Sequence, residues 1–389
     1  MWRSAFLFLL IFAVLADADA QSSPVWTGLS VLCMVLLFAG WLTRLTIPAN
    51  PSSIALVLFF CVVIVSLPVA LLWGTNPRDW LLKGAAPFLF LSAYLFTPVR
   101  SDKDARFIAT AFLVGAFVWA GKIIVTILFS DQSLLGRWTT ISNDLGYPWA
   151  LAAIPILLMG QWPRWVKIVG LPLFTALIIG GAFRMELLLL AMFLAFYFAR
   201  SFLLQHLRVI AVLTVFFVAA LVSWISTEHG LDTIERFDSV QSGADAGRWA
   251  EMSFAYNAFL ESPILGKGLA YPVPLRVTYA GRLETLKRLT GQLEGFSSVP
   301  YIHNSVMYLL MTLGPIGLLS YGLFILGSLK GRMRLPLFMA FASSLTSITI
   351  TLFQFHLIIV ALALAARYKW HLPHQATGDV SRQNAPVHS

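Results

Sequence analysis

The sequence predicts an all-α, polytopic integral membrane protein of about twelve transmembrane helices with one large extramembrane loop that itself contains helices. Three observations predict it. Of 389 residues, 58% are hydrophobic and 12% charged, with a mean hydropathy of +0.79, whereas a soluble domain carries about 25% charged residues. The apolar residues fall into runs close to the roughly 20 residues that one helical span needs. Basic residues mark every second break between those runs, the pattern that orients membrane helices. A water-soluble fold of this size cannot hide so much apolar surface.

In chain order, candidate spans lie near 5–17, 25–43, 53–73, 79–97, 107–129, 145–161, 166–183, 185–199, 209–226, 303–328, 334–350 and 352–367. Breaks such as Asn50-Pro51, Asn76-Pro77 and Trp162-Pro163 fall between runs, as turn chemistry predicts. The first run has two readings. Arg3, the apolar stretch 5–15 and the Ala-Asp repeats after it resemble a cleavable secretion signal; retention as a short first helix is the other reading. The orientation of everything downstream is the same either way.

The basic breaks hold Arg44; Arg100, Lys103 and Arg106; Arg164 and Lys167; Arg200 and Arg208; Lys330, Arg332 and Arg334; and the C-terminal Arg367, Lys369 and Arg382. By the positive-inside rule these face the cytoplasm, and both termini with them. The opposite side, which in a bacterial inner membrane is the periplasm, receives Asp17 and Asp19, 76–78, 131–143, 180–184 and the long stretch 227–302. The expected organisation is therefore helices 1–9 in 1–226, a periplasmic loop domain in 227–302, helices 10–12 in 303–370 and a disordered cytoplasmic tail in 371–389.

The stretch 227–302 has soluble-domain composition, with nine acidic and seven basic residues. One helix is expected at 245–261, with Trp249, Met252, Tyr256, Phe259 and Leu260 at helical spacing and Ser262-Pro263 as its stop. A second, 282–293, is basic and amphipathic and suits a membrane surface. Cys33 and Cys61 lie in apolar runs without metal-ligand spacing. The net charge of +9 comes from residues that punctuate spans, so nucleic acid is not an expected partner; membrane lipids are.

An ionisable side chain inside a span costs roughly 2.5–3.5 kcal/mol for Arg at the centre, so charges in or bordering the periplasmic span ends carry information: Lys122, Arg137, Asp144, Arg184, Glu186 and His303. His303 opens the run after the big loop, followed by Asn304 and Ser305. It reads as an interfacial residue or as a base, since an ordinary imidazole titrates near pH 6.5 and can take a proton from an attacking hydroxyl. Arg184 reads as a topological anchor paired with Glu186, or as a guanidinium fork for phosphate oxygens. Arg248, in the first turn of the expected loop helix, reads as a solvated residue or a phosphate ligand. Arg137 precedes Asn143 and another span, and Lys122 is accounted for by snorkelling.

Other chemistries lack their residues. Gly266-Lys267-Gly268 has no hydroxyl residue after lysine and is no Walker A loop. His-Glu-x-x-His and Cys/His clusters are absent, so no catalytic metal is expected. Asp17-Ala-Asp19 matches a D-x-D pattern of little specificity, on the side where nucleotide sugars are not supplied.

With these residues in hand, the chain resembles the bacterial O-antigen ligase and polymerase superfamily. Gly247-Arg-Trp249 followed by the stretch from Phe259 to Gly268 looks like the family's Arg-led loop helix and Pro-x-x-Gly-x-Gly turn. His303-Asn-Ser305 followed by Gly314-Pro-Ile-Gly317 looks like its histidine at the start of a span with glycines a few turns on. Arg137 with Asn143, and Arg184, fall where the family has an Arg-to-Asn segment and a Ser-Arg-Gly segment; Phe183 and Met185 replace the small neighbours of the latter.

The resemblance implies metal-independent glycosyl transfer at the periplasmic face, without cofactor or ATP. The donor is a polysaccharide on undecaprenyl diphosphate, and in a ligase the acceptor is a sugar hydroxyl of lipid A–core. Arg184, Arg248 and Arg137 then hold the diphosphate and stabilise its departing charge, and His303 activates the acceptor with inversion at the anomeric carbon. Arg276, Arg282, Lys287 and Arg288 either meet phosphorylated core sugars or form a solvated helix face. One large loop and modest length favour a ligase over a polymerase, which would use a second lipid-linked glycan as acceptor. A lipid or solute transporter would need paired charges near the bilayer midplane and inverted repeats; the embedded charges gather on one side instead.

Overall fold

The structure is a computed structural model. It describes residues 1–16, 24–43, 50–129, 147–180, 188–194, 249–274, 298–299, 302, 304–329 and 353–366. The described residues are helical almost throughout: α1 (Trp2–Leu15), α2 (Pro24–Leu42), α3 (Pro51–Leu72), a segmented α4 (77–96), α5 (Asp102–Phe129), α6 (Tyr147–Met159), α7 (Arg164–Gly180), α8 (188–194), α9 (249–261), α10 (Ser305–Ser328) and α11 (Phe353–Ala365). The expected spans at 209–226 and 334–350, the second loop helix at 282–293 and the tail at 371–389 lie outside the described residues.

Four described helices are long and apolar enough to cross a membrane: Val25–Leu42, Pro51–Leu72, Asp102–Thr126 and Ser305–Ser328. The 22 residues of α3 rise about 33 Å, matching a hydrocarbon core of about 30 Å. Large side chains such as Leu36, Ile54, Ile64, Leu72 and Leu323 stand exposed on these helices. Apolar side chains facing outward identify lipid rather than water as the surrounding solvent. The protein is therefore an all-α membrane protein. Among the described residues one two-residue antiparallel ladder interrupts it, β1 (Val273–Pro274) with β2 (Ser298–Val299), which apolar periodicity does not suggest.

The chain forms two compact units: Met1–Cys61 with Ala85–Leu189 and Leu319–Ser389, and Val62–Gly84 with Leu190–Leu318. In the first unit, Phe6, Leu9 and Leu10 form the fully buried face of α1, with Phe8 exposed on the other side, and an Arg3 guanidinium N–H donates to Asp104 Oδ1 at 2.6 Å. The Arg100 and Ser101 amides donate to the other Asp104 oxygen, closing the start of α5. Phe112 stacks on Trp149 with centroids 4.9 Å apart, and Phe59, Phe88, Tyr321 and His356 form one aromatic cluster. His356 is fully buried there and packs as an aromatic ring; it was absent from the charges selected by sequence.

Two elements differ from a plain helical reading. The span expected at 79–97 is built from Pro77–Asp79, a π-helical Trp80–Ala85, Ala86–Leu89, a 3₁₀ turn Phe90–Ser92 and Ala93–Phe96. Pro87 has no N–H to give the preceding turn, so the ladder widens before it. Helix α7 begins at Arg164, so Arg164 and Lys167 occupy its first turns rather than the preceding loop.

Candidate functional site

The second unit contains the two motifs on which the sequence reading rests, and they form one interlock. Helix α9 ends at 261, where Ser262-Pro263 was expected to stop it. The chain then makes a tight turn: the Gly266 amide donates to the Ser262 carbonyl at 2.9 Å, and Gly266 and Gly268 take φ of +68° and +84°. In α10, Pro315 has no N–H to offer the Met311 carbonyl, four residues back, and Gly314 leaves helical geometry at φ 66°, ψ −173°. The turn fills that gap. The Lys267 amide donates to the Met311 carbonyl at 2.8 Å and the Gly268 amide to the Thr312 carbonyl at 2.9 Å.

Glycine is required on both sides of this contact. A Cβ on Gly268 would overlap the backbone of Ala70 in the last turn of α3, and one on Gly314 would overlap the Ile264 carbonyl. Gly268→Ala is therefore expected to destabilise the protein by about 2–5 kcal/mol, from left-handed strain plus the overlap. Gly322→Ala, where nothing lies within 4 Å, is expected to be neutral or stabilising by up to about 1 kcal/mol. Thermal unfolding in nanodiscs distinguishes the two.

The interlock places a charge where sequence reading did not look. Lys267 has 0% exposure, and its ammonium forms an ion pair with Glu261, whose side chain is 62% exposed. The same Nζ lies 2.9 Å from the centroid of Trp73, the residue after α3, and 5.8 Å from that of Tyr271. Burial, and after it the Glu261 charge, raise the Tyr271 phenol above its ordinary value, so Tyr271 is a neutral hydroxyl at neutral pH. Its ring stacks on Phe254 of α9. One lysine thus ties the end of α9 to the end of α3, while its amide holds α10. A buried ammonium was readable only as a lysine in a polar turn, because the signal is long-range.

Other contacts seat the same region. Gly84, in the π-helical stretch, faces Leu269 and Ala270 so closely that a Cβ there would sit 2.8 Å from Leu269 Cβ. Ala270 itself takes φ of +58°, a conformation costing a non-glycine residue about 1–2 kcal/mol. In the β1–β2 pair, Val273 then faces Val299 and Pro274 faces Ser298. Ile302 is fully buried, and Asn304 Oδ1 accepts from the Met307 amide at 3.0 Å, capping the start of α10.

The sequence-predicted site residues Arg137, Arg184, Arg248, Arg276, Arg282, Lys287, Arg288 and His303 all lie outside the described residues, as do Asp144 and Glu186. Their chain neighbours fix part of the setting: Trp249 opens the described part of α9 right after Arg248, and Asn304 caps α10 right after His303. Lys122 lies within α5, half-buried. Of the stripe expected along α9, Trp249, Tyr256 and Leu260 are exposed and Met252 and Phe259 half-buried. The buried face is Glu251, Ala255 and Ala258. The small Ala255 and Ala258 are thus covered, while the large apolar side chains Trp249, Tyr256 and Leu260 face outward.

Residues 171–322 match the family model described as O-antigen ligase. The matched stretch includes α9, the glycine turn, the kink of α10, Arg184, Arg248 and His303; Arg137 precedes it. No curated protein matches the chain. The family match supports assignment to the O-antigen ligase and polymerase superfamily.

Proposed function

We propose that this chain, through its matched segment a relative of the O-antigen ligases and polymerases, is a ligase of the bacterial inner membrane with about twelve spans and a periplasmic site. It transfers a polysaccharide from undecaprenyl diphosphate to a sugar hydroxyl of lipid A–core. The observation that carries the reading is the family match over 171–322, which spans both Arg248 and His303. His303 takes the proton of the acceptor hydroxyl as its oxygen attacks the anomeric carbon. The bond from that carbon to the diphosphate oxygen breaks, and undecaprenyl diphosphate leaves with the electron pair. Arg184 and Arg248, with Arg137 in support, stabilise the negative charge that develops on it. Attack opposite the leaving group inverts the anomeric centre. Arg276, Arg282, Lys287 and Arg288 meet the phosphorylated core of the acceptor.

The interlock supports this chemistry by rigidity. A site that stabilises developing charge works when its groups are held in place before reaction. The Lys267–Glu261 pair and the turn-to-kink hydrogen bonds hold the helix that follows Arg248 against the helix that follows His303. The test uses purified protein with lipid-linked O-antigen, with and without lipid A–core. Core-attached polymer formed only when both are present is the expected result. Longer lipid-linked chains without core attachment would instead assign a polymerase.

A further inference from the structure

A water-facing turn sends its charges outward and its apolar side chains inward. The 262–268 turn is inverted. Its one charged residue, Lys267, has 0% exposure, while Ile264 and Leu265 are 66% and 44% exposed. The inversion continues along α9. At about 100° per residue, positions 249, 253, 256 and 260 share a face, and Trp249, Tyr256 and Leu260 on it are 67%, 52% and 53% exposed. Ser253 lies among them, and Asn257 and Glu261 form a polar flank.

The level of the turn explains the inversion. The Gly268 amide bonds to the carbonyl of Thr312, seven residues past the start of α10, or about 10 Å along an apolar helix. Gly268 also packs on Ala70, within the last turn of α3. The turn therefore runs alongside the ends of two candidate spans rather than beyond them, and the exposed Leu71, Leu72 and Ile316 on those spans lie on the same unit. A polar backbone at that depth is tolerated where its groups are paired inside protein, as the Lys267 and Gly268 amides are.

We infer that α9 and the 262–268 turn form a lipid-contacting surface seated in the membrane interface, and that the bilayer itself covers the exposed apolar face. Trp249 and Tyr256 sit at headgroup level, where amphipathic rings are favoured. Ile264 and Leu265 enter the acyl boundary, as in interfacial helices. The inference requires membrane insertion but not the ligase reading; together they place Trp249 at the level where a lipid-borne diphosphate emerges from the bilayer.

Site-directed spin labelling tests it. Full-length protein carrying Cys33→Ala and Cys61→Ala receives a single nitroxide through Tyr256→Cys, Leu260→Cys, Ile264→Cys or Asn257→Cys, and is reconstituted into vesicles of phosphatidylethanolamine and phosphatidylglycerol. Expected is a higher collision rate with oxygen than with a water-soluble nickel chelate at 260 and 264. The ratio should be lower at 256 and lowest at the flanking 257. Nickel accessibility at 260 and 264 equal to that at 257 would overturn the inference, because water then covers the face. Low accessibility to both reagents would overturn it equally, because a protein surface then covers it. Ile264→Asp gives a second reading: its Tm in lipid nanodiscs should fall by several degrees, and an unchanged Tm would count against the inference.

Discussion

His303→Ala is expected to abolish transfer of glycan to lipid A–core while the protein still binds its lipid-linked donor. A positioned general base contributes about 10²–10⁴ in rate, and loss of the only proposed base should remove at least that much from kcat with little change in donor affinity. The pH profile follows from the same role. The imidazole must be neutral to accept a proton, so kcat/KM in the wild type should fall on the acid side of the profile; this limb should vanish in His303→Ala. Arg248→Ala should behave differently, weakening donor binding or turnover without removing the pH limb. Transfer measured with lipid-linked glycan and purified lipid A–core checks both, and a fully active His303→Ala protein would remove the base from the mechanism.

The second large effect is an asymmetry in the Lys267–Glu261 pair. Removing one partner of a buried ion pair costs about 3–5 kcal/mol when an uncompensated charge is left behind. Here the two partners are not equivalent, since Lys267 has 0% exposure and the Glu261 side chain is 62% exposed. Glu261→Ala strands a buried ammonium and should lose stability near that full range. Lys267→Met leaves a carboxylate that water can solvate, and the thioether chain still packs on Trp73; it should lose about 1–2 kcal/mol, mainly the cation–π contact. The double variant should recover to the level of Lys267→Met. Thermal unfolding of the four proteins in nanodiscs measures the cycle, and a mild Glu261→Ala would show that Lys267 is not confined as described.

Much of the helical layout was legible because apolar run length and proline breaks are local signals. The expected spans near 5–17, 25–43, 53–73 and 107–129 meet helices Trp2–Leu15, Pro24–Leu42, Pro51–Leu72 and Asp102–Phe129, and Ser262-Pro263 ends α9. Local signals do not say what lies across a helix. Periodicity found an apolar stripe on α9 but not which face is covered, and the buried face proved to be Glu251, Ala255 and Ala258. The two glycine motifs were visible separately; that one supplies amides and the other freed carbonyls depends on contacts more than forty residues apart. Lys267 was discounted for the same reason, since an inward-facing lysine in a Gly-Lys-Gly turn becomes meaningful only beside Trp73 and Glu261. His356 was hidden by its apolar surroundings, which turned out to be an aromatic cluster.

The catalytic account stands on His303 and the arginines sharing one pocket. Short-range cross-linking measures this most directly. In full-length protein carrying Cys33→Ala and Cys61→Ala, His303→Cys is combined with Arg248→Cys or with Arg184→Cys and treated with a short bismaleimide in proteoliposomes. Rapid intramolecular cross-linking of both pairs, slowed by added undecaprenyl diphosphate, is the expected result. Efficient single-site labelling with no cross-link in either pair would mean that the imidazole and the guanidinium groups lie in separate places, and the proposed transfer reaction would have no site.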